Sequence, residues 1–211
     1  SIDGVCARYL NYKMKFDQVP DALFIYGDSS KNIKDLDAAY NDVGKNIIKS
    51  IFGVGVKDEK IIGRGVLKSF GKARDGFNIS SIQFAIHYMF ESPEILHNFL
   101  TNVSECTKLN GYFVGTCFNG KKIFNLLQKL KVNETYTFFS KDKKNKLLEI
   151  TKKYDMDKFE DNITSLNYGI DIFQSSINKL FREYLVNFEF FQDILQVYGF
   201  VPLNSEELSK L

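Results

Sequence analysis

Apolar positions recur along the chain in two periods, and their order predicts a mixed α/β fold. Ile2, Val5, Cys6, Tyr9 and Leu10 fall at helical spacing, so residues 1–15 read as an amphipathic helix. Ala22-Leu23-Phe24-Ile25-Tyr26 is an unbroken apolar run of strand length, closed by Gly27-Asp28-Ser29-Ser30. Such a run between helices predicts a central parallel strand. Residues 31–50 predict a helix. Gly53, Gly55, Gly63, Gly65, Gly71 and Gly76 then stand among lysines at a spacing that matches no phosphate-binding loop, which predicts a surface excursion.

Residues 77–84 predict the next strand. Ser92-Pro93 supplies an N-cap and an N1 proline for a helix marked by Ile95, Leu96, Phe99, Leu100 and Val103 and running to about Lys108. Asn110-Gly111 should end it. Residues 112–117 form another buried run, and Ile123, Phe124, Leu126, Leu127 and Leu130 mark a short helix. This alternation predicts a doubly wound α/β sheet.

From about residue 133 the period changes. Residues 135–140 and 146–150 predict an antiparallel hairpin around Lys141-Asp142-Lys143-Lys144-Asn145, and residues 168–173 and 181–186 predict a further pair. Residues 133–186 thus read as an antiparallel insertion, a lid over a ligand, within one partial domain spanning 1–211. Phe188, Phe191, Ile194, Leu195 and Tyr198 restore a helical stripe with Gly199 at its C-terminal cap, and residues 200–203 predict the start of another strand.

Composition narrows the function. Charged residues are 26% of the chain and the net charge is +2, an ordinary globular surface rather than a polybasic one. Cys6, Cys106 and Cys117 are scattered and only two histidines accompany them, which argues against a zinc site and suits a reducing compartment. No apolar run approaches the ~20 residues of a membrane span, and the first residues carry no signal-peptide pattern.

Three places hold candidate chemistry. Asp28-Ser29 follows a predicted parallel strand, at the edge where open α/β sheets bind ligands; the plainer reading is a turn that caps the next helix. Gln83, Phe84, His87 and Tyr88 crowd the end of the next strand, at the same edge. Glu183 shares a strand face with Phe181 and Leu185, where a carboxylate is costly unless a partner meets it. That partner is either a lysine or arginine, or a ligand with two adjacent N–H groups such as the Watson–Crick edge of guanine. The lysines of 141–146 read as a solvated turn, with contact to RNA phosphates as the alternative.

Ile2-Asp3-Gly4-Val5-Cys6-Ala7-Arg8-Tyr9, Gly27-Asp28-Ser29-Ser30, Gln83-Phe84-Ala85-Ile86-His87-Tyr88-Met89-Phe90-Glu91, Asn110-Gly111-Tyr112-Phe113-Val114-Gly115-Thr116 with Asn119, and Arg182-Glu183-Tyr184-Leu185-Val186 occur in that order. This series resembles the mRNA cap guanine-N7 methyltransferase family, most of all the methyltransferase domain of capping enzymes from large DNA viruses. The resemblance implies a Rossmann-like sheet that binds S-adenosylmethionine, incomplete here at both ends. It implies methyl transfer to N7 of the terminal guanosine of 5′-capped RNA. Asp28, Ser29, Gln83 and Phe84 would bind the cofactor, and His87, Tyr88 and Glu183 the guanine. No acid–base residue and no metal are implied.

Other capping domains (triphosphatase, guanylyltransferase) or a stimulatory subunit are implied as partners, with no membrane. The implied location is the cytoplasm, a viral factory or a virion for a viral protein, and the nucleus for a cellular one. The rival reading is a methyltransferase-like subunit that stimulates a catalytic partner without catalysing. On the resemblance, the chain is expected to be a fragment, with the glycine-rich cofactor turn upstream of Ser1 and the closing strands beyond Leu211.

Overall fold

A computed structural model describes residues 4–142 and 144–210. The expectations placed on Ser1, Ile2, Asp3 and Lys143 lie outside the described residues. The chain divides into two compact units, Ser1–Gly76 and Phe77–Leu211.

In the first unit, helix α1 covers Val5–Lys15. Tyr9 packs edge-on against Phe24, with ring centroids 5.4 Å apart, and donates its hydroxyl to the Pro20 carbonyl at 2.7 Å. The strand expected at residues 22–26 does not form among the described residues. The run is extended, but the only ladder there is one antiparallel bridge, Gly27 to Ala39. Asp28 N–H donates to Ala38 O, and Tyr40 N–H to Tyr26 O. The segment therefore folds back on 38–40, with Tyr26 against Tyr40 at 4.8 Å. A central parallel strand needs neighbours on both sides, and within the described residues of this unit the segment has only the bridge to Ala39.

The helix expected from residue 31 starts later, as α2 (Asp42–Ile51). Upstream the backbone leaves the helical path: Leu36 takes a left-handed φ of +74°, and Ala38 N–H reaches back to the Asn32 carbonyl. Asn41 then caps α2 by accepting from Gly44 N–H at 2.8 Å. The glycine-rich excursion contains two one-turn helices, α3 (Glu59–Ile62) and α4 (Arg64–Leu67).

The second unit opens with β1 (Phe77–Gln83), a 3-10 turn (Ile86–Phe90), α5 (Pro93–Cys106), β2 (Thr107–Thr116) and α6 (Gly120–Leu127). Strands β1 and β2 pair in parallel, joined by α5 as the crossover. The Ser92 hydroxyl accepts from Ile95 N–H, so the predicted cap and N1 proline are both in place. Phe90, Leu96 and Leu100, all essentially buried, form the core under this pair with Phe191.

The chain continues with β3 (Thr135–Phe139), β4 (Lys146–Lys152), β5 (Gly169–Gln174) and β6 (Lys179–Tyr184), an antiparallel sheet in that order. Helix α6 lays Phe124 and Leu127 on the face that carries Ile150, Ile170 and Ile172. Helices α7 (Phe188–Val197) and α8 (Ser205–Leu208) close the unit. Residues 200–203 form no strand; they lead into α8, which Asn204 and Glu207 start with a reciprocal capping box. Gly199 follows α7 at φ +89°, the left-handed turn predicted for it.

The architecture is mixed α/β, with a parallel pair and a separate antiparallel sheet, consistent with a Rossmann-like methyltransferase fold. Two parallel strands form among the described residues where three buried runs were expected. No helix among the described residues is long and apolar enough to cross a membrane.

Candidate functional site

Where β1 ends, the backbone turns sharply. Gln83 is the last strand residue, and its amide is clamped: Nε2 donates to Ser81 Oγ at 2.9 Å, and Oε1 accepts from Thr116 Oγ1 at 2.8 Å. Phe84 follows in the left-handed region at φ +51°, a rare and strained position for a bulky residue. Its N–H donates to the Thr116 carbonyl at 3.0 Å, which holds the strain. Phe84 is 63% exposed, with its ring centroid 6.3 Å from that of Phe118.

The turn then feeds the 3-10 segment, which tucks His87 inward and leaves Tyr88 half-exposed, their rings 4.2 Å apart. Strand β6 brings Glu183 to the same place. Its Oε1 lies 3.6 Å from His87 Nε2, with the side chains only 12% and 7% exposed. That distance is too long for a hydrogen bond. Neither ring nitrogen of His87 has a hydrogen-bond partner among the described residues. Burial alone pushes the Glu183 carboxyl up to about 7 and the His87 imidazole down to about 4. Burial, and then the nearby Glu183 charge, raise the Tyr88 hydroxyl.

His87 and Glu183 line a small cleft whose walls include Phe118, Gly120, Ile123 and Ile170. Gly120 begins α6 where the helix meets the end of β6, and its N–H donates to the Val186 carbonyl at 3.2 Å. A buried acid beside a buried, unpartnered imidazole is costly unless a ligand completes them. Among the described residues no lysine or arginine pairs with Glu183. Arg182, on the opposite face, pairs with Asp171 at 2.5 Å instead.

Gln83, Phe84, His87, Tyr88 and Glu183 thus all lie in the second unit, with His87, Tyr88 and Glu183 in direct proximity. Asp28 and Ser29 lie in the first unit. Asp28 Oδ1 accepts from both the amide and the hydroxyl of Ser30, the turn-capping arrangement, and these bonds hold its carboxyl below the usual range. Phe118, Gly120 and Ile123 are cleft residues to which the sequence reading gave no site role, with Ile123 only part of the helical stripe. The signal available for them was the Asn119-Gly120 pair, which starts a helix directly after a strand.

A family model described as the mRNA (guanine-N(7))-methyltransferase domain matches residues 1–209. The chain belongs to this family. Among curated relatives of this methyltransferase domain, a "Probable mRNA-capping enzyme" of Acanthamoeba polyphaga mimivirus is 31% identical over 199 residues, covering 92% of the chain and 15% of the relative. An "mRNA cap guanine-N(7) methyltransferase" of Aspergillus niger is 48% identical over 44 residues, 21% of the chain and 7% of that protein. The Schizosaccharomyces pombe protein of the same name is 40% identical over 58 residues, 28% of the chain and 16% of its own length. The chain therefore spans only a small part of each of these relatives.

Proposed function

We propose that this methyltransferase domain holds the terminal guanine of 5′-capped RNA between Glu183, His87 and Tyr88 and presents its N7 for methylation by S-adenosylmethionine. The observation that carries the reading is the buried Glu183 carboxylate, which pairs with no lysine or arginine among the described residues and lines a cleft beside an imidazole without a hydrogen-bond partner among them. Guanine offers two adjacent N–H groups on its Watson–Crick edge. A carboxylate accepts both at once, whereas adenine offers no such pair. Phe118 supplies apolar ring surface to the cleft, and Tyr88 stands against the His87 ring that lines it.

S-adenosylmethionine would supply an electrophilic methyl group on a sulfonium. The second unit's residues fit such a group: an exposed ring at Phe84, held in a strained backbone conformation, beside an amide fixed at Gln83. The assignment of Asp28 and Ser29 to the adenine extends the family resemblance. Guanine N7 carries a lone pair at neutral pH, so the chain needs no general base. Its contribution is orientation, together with a fixed negative charge near a guanine that becomes cationic. In this reading the protein acts on capped RNA alongside other capping activities or a stimulatory subunit. Its place would be the cytoplasm, viral factory or virion if viral, and the nucleus if cellular.

The direct test supplies labelled S-adenosylmethionine with capped RNA, uncapped RNA and GTP, then digests the product to nucleosides. Label in 7-methylguanosine from capped RNA supports the reading; label elsewhere, or none, sinks it.

A pH profile follows from the same geometry. Guanine binding needs ionised Glu183, whose carboxyl titrates near 7 in the free protein. As pH falls through 7 the carboxyl takes up a proton, and kcat/KM for capped RNA should drop about tenfold per unit. His87 stays neutral down to about 4 and adds no limb in this range. Rates between pH 5.5 and 8.5 check this, and the limb should vanish in Glu183→Gln. A limb that persists in that variant would assign the titration to another group.

A further inference from the structure

We infer that strand β6 carries a second subsite beside the guanine pocket, where Phe181 stacks on the first transcribed nucleotide of the RNA and Lys179 meets its phosphates. The inference rests on the guanine reading and extends it along one strand.

Alternate residues of β6 share a face, so Lys179, Phe181 and Glu183 line up at steps of ~7 Å. Their cross-strand partners are Gln174, Ile172 and Ile170, which puts them on the face that also carries the core residues Ile170 and Ile172. The line is open in one direction only. Past Glu183 the chain enters Leu185 and Val186, each 2% exposed. Towards Lys179 it opens to solvent: Phe181 is 36% exposed at the sheet edge and Lys179 is exposed.

Charge points the same way. No carboxylate occurs between Ile172 and Arg182. Strands β3 and β5 both run antiparallel to β4, and β6 antiparallel to β5, so the β3–β4 and β5–β6 turns lie at the same end of the sheet. That end carries Lys141, Lys144 and Lys179. Of the acids near it, Asp142 accepts from the Ser140 hydroxyl, and Glu149 pairs with Lys146 at 2.8 Å. No acid pairs with Lys179 among the described residues.

A buried acid, then an open aromatic ring, then a cation along one strand matches guanine, nucleoside and phosphate in a single-stranded polyanion. Single-strand sites combine these two elements, because every base has a face to stack and every linkage a charge to neutralise.

The test measures equilibrium binding of a fluorescent capped pentaribonucleotide, with unlabelled GTP as competitor. GTP has the guanine and the triphosphate but no second nucleoside. Phe181→Ala should weaken the RNA roughly tenfold and leave GTP unchanged, and Phe181→Tyr should restore the RNA. Lys179→Gln changes an exposed side chain and should lower the salt-dependence slope of RNA binding by about 0.7. Equal losses for both ligands in Phe181→Ala, or an unchanged slope in Lys179→Gln, would overturn the subsite. Methyl transfer by the unmodified protein is scored separately. Its absence with the RNA signature intact would fail the function reading and spare the subsite, and its presence without the signature would do the reverse.

Discussion

Glu183→Gln should lose guanine methylation while making the protein more stable. The carboxylate is asked to accept two hydrogen bonds from one base edge. Hydrogen bonds to a charged group are worth about 1.5–3 kcal/mol each, so Glu183→Ala should forfeit about 3–6 kcal/mol, or roughly 10²- to 10⁴-fold in kcat/KM. Glutamine keeps one acceptor and turns a donor towards the second N–H, so its loss should be nearer 10²-fold.

Stability moves the other way, because the acid is buried 3.6 Å from an imidazole that stays neutral at pH 8. The carboxyl titrates near 7 in the folded protein against an ordinary value of 4.5, so the folded state holds its proton longer than the unfolded chain. Stability from this group is fully present below 4.5 and is lost as pH rises through 7. At pH 8 the parent therefore carries a buried charge that glutamine removes. A melting temperature several degrees higher at pH 8, with the gain gone at pH 4.5, is the expected result in thermal scans. A variant equally unstable at both pH values and still active would show that Glu183 is a packing residue.

The local patterns legible in the sequence were those whose partners lie nearby in the chain. Ser92-Pro93 starts α5 because cap and proline act within one turn. The β3–β4 and β5–β6 pairs form because their turns are short, although β6 covers Lys179–Tyr184 rather than the expected 181–186 and leaves Leu185 beyond the strand. Where the partner is distant or local competition is strong, the reading failed. Residues 22–26 have the composition of a central strand, but among the described residues the only ladder beside them is the Gly27–Ala39 bridge. Residues 31–40 were expected to be helical, yet Leu36 turns into the left-handed region at φ +74° and breaks the run.

The site shows the same division. The spacing of His87 and Tyr88 after Gln83 was visible, and so was the awkward position of Glu183. That they meet follows from β6 running beside the 3-10 turn, a contact between residues some hundred positions apart that no local pattern encodes. Phe118 was hidden for a related reason. It is one aromatic among twenty phenylalanines, and only the turn between β2 and α6 sets it in the cleft.

Gly120→Ala should cost both stability and guanine affinity, although the change adds one methyl group. A Cβ at this position would lie 2.2 Å from the Val186 carbonyl oxygen and 2.8 Å from both the nitrogen and the carbonyl carbon of that residue. All three are backbone atoms, so no rotamer change relieves the clash; helix α6 must move away from the end of β6. The move breaks the hydrogen bond from Gly120 N–H to Val186 O and lifts Phe124 and Leu127 from the core beneath them. Overpacking a fixed site costs about 1–3 kcal/mol, and the lost contacts add to it, so a melting temperature lower by roughly 5–10 °C is expected.

The same displacement opens the cleft that Gly120 and Ile123 line together with Glu183. Guanine should therefore bind about tenfold more weakly even at temperatures where the variant is folded, since its carboxylate contact depends on a closed, dry wall. Gly120→Ser carries the same Cβ and should behave alike, whereas Lys121→Ala, on the adjacent exposed side chain paired with Asp161, should leave KM unchanged. Thermal melts and KM for capped RNA measured on the three variants decide the matter. An alanine variant that melts like the parent would mean that α6 and β6 are not in fixed contact, and the cleft would then have no floor on which to order a base.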